Sequence, residues 1–151
     1  MTLRFVEIPE PVEIARSPKR DVKTREIVLD SFGAVVTVPL MYSFAEAVAY
    51  VVDSAPEFAV TQSAVRMGAR ILAAVEQAAG RAELRQDDWK VLADVVETNK
   101  VGFGKWGREF YDDKGNVRAE PIMVPPRKFL SFANAIALAA FEDPSAAEAA
   151  Q

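Results

Sequence analysis

Residues 26–54, EIVLDSFGAVVTVPLMYSFAEAVAYVVDS, change their hydrophobic period part-way along, and that change decides the fold class. The first half carries two β-branched runs, Glu26-Ile27-Val28-Leu29-Asp30 and Ala34-Val35-Val36-Thr37-Val38. Between them lies the Gly-containing break Ser31-Phe32-Gly33, the pattern of a β-hairpin. In the second half Ser43 stands three residues before Glu46 and ahead of Phe44, Ala45, Val48, Ala49, Val51 and Val52. That is a capping box opening an amphipathic helix to about Ser54. Two strands cannot bury a face alone, so the hairpin must lean on helices or pair with another chain. An α+β domain is expected.

Working outward, residues 1–23 hold Pro9, Pro11 and Pro18 among alternating charges, which disfavours helix. They read as an extended basic arm with at most one short strand around Leu3 to Ile8. Downstream, the spacing of Val65, Gly68, Leu72 and Val75 predicts a helix over 62–79, stopped by Gly80. Acids at Asp87 and Asp88, with Trp89, Leu92, Val95 and Val96, predict another over 86–98. Asp112-Asp113-Lys114-Gly115-Asn116 is a turn signal between Arg108–Tyr111 and Val117–Val124, a second hairpin. Pro125-Pro126 opens a last helix over 126–141, apolar around nearly its whole circumference and so expected to be buried on more than one side. The expected organisation is one domain, 24–143, with one or two β-hairpins packed beside about four helices. An extended N-terminal arm, 1–23, precedes it, and a frayed Ala-rich tail, 144–151, follows.

The 151 residues fit one domain of ordinary size, and 50% hydrophobic against 26% charged is a folding composition. Neither cysteine nor histidine occurs, which excludes disulfides and thiolate or imidazole metal sites and removes the commonest nucleophile and general base. The expectation is a non-enzymatic protein with no cofactor and no metal. A net charge of -4 disfavours bulk nucleic-acid binding. Arg4, Glu7, Pro9 and Glu10 interrupt any signal-peptide core, so the expected compartment is cytoplasmic. The apolar run Phe129 to Phe141 falls short of the roughly 17–25 residues that span a bilayer, and no membrane span is expected.

With histidine absent, paired carboxylates are the remaining acid–base candidates, at Asp87-Asp88 and Asp112-Asp113. Their positions suit a helix start and a hairpin turn better than catalysis. Gly102, Gly104 and Gly107 mimic a phosphate loop, but that segment follows a helix and lacks a Ser or Thr after its lysine. What it offers is Phe103, Lys105, Trp106 and Arg108, cations interleaved with aromatics. These residues either close as a lid over the helices or contact a partner, for which Trp and Arg are favoured hot-spot types. A second basic group, Arg16, Lys19 and Arg20, lies in the arm and suits the acidic face of another copy.

Four stretches carry a resemblance: the hairpin through Gly33, Val65 to Leu72, Leu84 to Leu92 and Phe129 to Ile136. Together they resemble small proteins of unknown biochemistry encoded among the structural and assembly genes of bacteriophages. The resemblance implies a virion accessory, scaffold or assembly protein that binds itself or a larger viral assembly, in the host cytoplasm or the virion. The expected function is protein–protein interaction through Phe103, Lys105, Trp106, Arg108, Arg16, Lys19 and Arg20. The alternative is a small nucleic-acid-binding regulator using the same basic arm and Gly/aromatic loop.

Overall fold

The computed structural model describes residues 2–98, 101–105, 110–111, 117–118 and 122–141. These form a single α+β domain. Its elements, in chain order, are β1 (Leu3–Glu7), β2 (Val12–Pro18), β3 (Thr37–Tyr42), α1 (Phe44–Ser54), α2 (Gln62–Glu76), β4 (Arg81–Arg85) and α3 (Gln86–Thr98). After them come β5 (Phe103–Lys105), β6 (Phe110–Tyr111), β7 (Val117–Arg118), β8 (Ile122–Val124), α4 (Leu130–Ala137) and β9 (Ala140–Phe141).

Helices α1 and α2 start at side-chain caps. The Ser43 hydroxyl accepts from the Glu46 amide at 3.1 Å and Thr61 accepts from the Ala64 amide at 3.0 Å, each satisfying an amide that the first helical turn leaves without a partner. The other half of the expected capping box is not made, because the Glu46 carboxylate pairs with Lys105. Helix α1 is the central post: Phe44, Ala47, Val48, Val51 and Val52 are all buried. It packs on α2 at Gly68, where a Cβ would meet Val52 Cγ1 at 2.7 Å, so the absent side chain sets the approach of the two helices. Asp88 ties α3 to α2 by accepting from Arg70 at 3.0 and 2.9 Å, and Trp89 Nε1 ties it to α4 by donating to the Ile136 carbonyl at 2.8 Å.

The helices close over a three-stranded antiparallel sheet of order β4-β1-β9, with Val6, Ala82 and Leu84 buried. Among the described residues the other strands form antiparallel pairs, β2–β3, β5–β8 and, nested within the latter in sequence, β6–β7. The second hairpin thus forms where the turn signal placed it, although Asp112 to Asn116 themselves lie outside the described residues.

Two expectations change. Residues 1–23 are extended, but most are not a free arm: β1 is the middle strand of the sheet and β2 pairs with β3 from Val12↔Tyr42 to Pro18↔Thr37. The prolines mark the connection and the strand end and do not forbid strands. The helix over 126–141 shrinks to a 3-10 turn at Pro126–Lys128 and then α4. Phe129 leaves helical geometry at φ -108, ψ 9, with its ring edge-on to Phe103 at 4.5 Å, and β9 takes the second edge of β1. One face of α4 is buried through Phe132 and Ile136, while Leu130 and Leu138 face outward, so burial on several sides within this chain does not hold.

Candidate docking surface

The β2–β3 ribbon continues past its paired strands into a double-turned tip. Lys19 N–H donates to Val36 O at 2.8 Å, Val28 N–H to Lys19 O at 2.8 Å, and Val36 N–H to Val28 O at 3.0 Å. The segment around Val28 therefore lies between the two ribbon strands and creates two turns, 21–25 and 30–33. The break at Gly33 does turn the chain, with φ +79 and an Ala34 partner for Asp30, yet the expected hairpin there is reduced to the single bridge Leu29↔Val35. The longer pairing of residues 37–42 goes to β2.

An aspartate fixes each turn. Asp21 Oδ1 accepts from the Lys23 and Thr24 amides at 2.9 and 3.0 Å, and these bonds hold its carboxyl below the ordinary range. Asp30 Oδ1 accepts from the Phe32 and Ala34 amides at 2.8 and 2.9 Å. Arg25 closes the first turn at φ 64, a left-handed geometry that costs a non-glycine residue about 1–2 kcal/mol. On these two braced turns stand Val22 and Phe32, 91% and 94% exposed. Neither featured among the residues singled out from sequence. The available signal was local: Phe32 sits between Asp30 and Gly33, a turn context in which an aromatic ring has no neighbour to bury it.

The basic residues divide by task. Arg16 braces the ribbon, donating to the Thr37 hydroxyl at 3.1 Å and the Thr37 carbonyl at 3.0 Å, with Glu13 at 3.4 Å. Arg20 donates to the Arg25 carbonyl at 2.8 Å across the first turn, and Lys19 is exposed beside it. At the ribbon's base an open groove of about 420 Å³ is lined by Ser17, Arg20, Pro39, Met41, Glu46 and Lys105 among others. The two segments read separately as basic candidates meet here, Arg20 on one wall and Lys105 on another.

Lys105 is not a free cation, however. Its side chain is only 7% exposed and is paired with Glu46, which is 44% exposed. Beneath the pair the Tyr42 hydroxyl donates to the Gly104 carbonyl at 2.5 Å. Burial first, then the Glu46 charge, pushes that hydroxyl above its ordinary range, so it stays protonated. Phe103 is likewise unavailable to a partner: it is buried against Phe129. Trp106 and Arg108 lie outside the described residues. Gly104 owes its identity to packing, since a Cβ there would meet the Tyr50 ring at 2.6 Å.

Of the carboxylate pairs, Asp88 is buried and held by Arg70 whereas Asp87 faces solvent, so the two do not share a cleft. Among the described residues no group of three or more potential metal ligands comes together, and no helix is long and apolar enough to cross a membrane. Comparison of the chain with family models, with curated proteins and with solved structures found no match.

Proposed function

We propose that this chain is a non-enzymatic protein-docking component, of the accessory, scaffold or assembly type that virions employ, with the ribbon tip as its contact element. The observation that carries this reading is the display of Phe32 and Val22 on two braced, almost wholly exposed turns. Burying one such side chain against a partner is worth about 1.5–3 kcal/mol. Because the turns are already fixed by Asp21 and Asp30, little conformational freedom remains to be lost on binding. A nucleic-acid surface fits less well, since Lys105 is sequestered by Glu46 and Arg16 is committed to Thr37.

A photo-crosslinking amino acid placed singly at positions 22, 32 and 76, in cells that produce the protein, tests the proposal. Glu76 is exposed on α2 and serves as the off-ribbon control. Protein adducts concentrated at 22 and 32 are expected. Equal yields at all three positions, or adducts to nucleic acid at the tip, would overturn the reading.

A further inference from the structure

Resting on the docking role of the ribbon tip, we infer that its partner is a second copy of this chain, with Phe32 of one copy seated head-to-tail in an apolar pocket on the three-stranded sheet of the next. That pocket has a volume of about 210 Å³ and is lined by Phe5, Glu7, Asn134, Ala135 and Leu138. Its size suits a single aromatic ring: a cavity of roughly 150 Å³ lined by apolar side chains holds benzene. Leu138, 80% exposed beside it, is a large apolar side chain with little cover from its own chain. The last helix thus retains an apolar surface that the fold leaves open.

Charge favours the same pairing. Residues 16–30 carry five cations against three acids, which leaves thirteen cations against nineteen acids in the rest of the chain. At the pocket, Glu7 contributes a carboxylate that can meet the tip cations Lys19 and Lys23. Arg81, opposite Glu7 in the sheet, is engaged over the Phe5 ring at 4.5 Å. Phe32 cannot be filling its own pocket, because it is exposed almost completely. Tip and pocket are different surfaces, so each bound copy presents a fresh tip and a fresh pocket. Such a heterologous contact propagates as a filament or closes as a ring. One inserted side chain with a small rim makes a weak contact, so association should rise with concentration.

Sedimentation velocity and light scattering of the full chain up to about 1 mM provide the test. Wild-type protein is expected to grow in mass with concentration. Phe32→Ser removes the tip contact and Leu138→Glu blocks the pocket; both positions are exposed, so each variant should fold with unchanged circular dichroism and remain monomeric alone. An equimolar mixture retains one intact tip and one intact pocket, and should give a 1:1 dimer that grows no further. A wild-type monomer at every concentration, growth that survives either substitution, or a mixture that stays monomeric would overturn the inference. Crosslinks from position 32 to a different protein would then still support the docking role, whereas an absence of tip-specific protein crosslinks would remove both.

Discussion

Asp21 shows how one side chain can set the shape of an exposed turn. Its carboxylate accepts two amide hydrogen bonds, and its titration is displaced below the ordinary 3.8. A carboxyl lowered on folding contributes stability that is present above the unfolded value and is lost as pH falls through the lowered one. The Lys23 and Thr24 amide resonances should therefore be pH-independent at neutrality and move together with a midpoint below 3.8, as followed by NMR. Asp21→Asn keeps an acceptor oxygen and should abolish that titration. The Lys105–Glu46 pair makes an asymmetric case. Glu46→Gln strands a buried ammonium, whereas Lys105→Met leaves a carboxylate already half open to water. Urea unfolding should show a loss of about 1–3 kcal/mol for the first, less than for a fully buried pair because solvent screens Glu46, and about 1 kcal/mol or less for the second. Lys105 was legible as a cation beside aromatics, but its burial was not: nothing local to residues 103–105 announces that Glu46, 59 positions earlier, will close over it.

Elements formed where local chemistry and tertiary demand agree. Ser43 is a cap in sequence and a cap in the structure, and the apolar spacing of α1 and α3 follows their buried faces. On α2 Gly68 and Val75 are buried as expected, but the face is rotated so that Ala64 and Ile71 go inward while Val65 is 48% exposed. The last helix is where they part: an apolar run from Phe129 to Phe141 satisfies helical periodicity, but Phe129 is claimed by Phe103 and Ala140–Phe141 by the edge of β1. Tertiary pairing outweighs a propensity worth only tenths of a kcal/mol per residue. The ribbon diverged for a similar reason, since residues 37–42 find a longer partner in β2 than in their immediate neighbours. At the α1–α2 crossing, Gly68→Ala should gain about 1 kcal/mol of helix propensity. It forces a methyl against Val52 Cγ1, whose β-branched side chain has few rotamers to yield, and against Phe58. Overpacking of about 1–3 kcal/mol should win, so thermal unfolding is expected to shift downward, with a net loss of about 1 kcal/mol.

At the scale of the molecule, body and ribbon tip separate in their contribution to stability. The core is drawn from α1 to α4 and the β4-β1-β9 sheet together with Tyr42, Phe103 and Val124, and contains nothing from residues 19–36. Replacing 20–35 by Asn-Gly, which joins Lys19 to Val36 across their existing hydrogen bond, supplies a two-residue turn suited to a hairpin. The shortened protein should melt within about 4 °C of the full chain, corresponding to about 1 kcal/mol at this size. A collapse of the melting transition would show that the tip is structural.

The sheet order β4-β1-β9 also bears on synthesis. Strand β1 is made before both of its neighbours, which come from the middle of the chain and from Ala140–Phe141. Until the last of these emerges, the second edge of β1 stays unpaired in addition to the outer edge of β4, and a bare strand edge is a template for unwanted pairing between chains. Premature termination before residue 140 should for that reason yield insoluble product even though every α-helix has already been made.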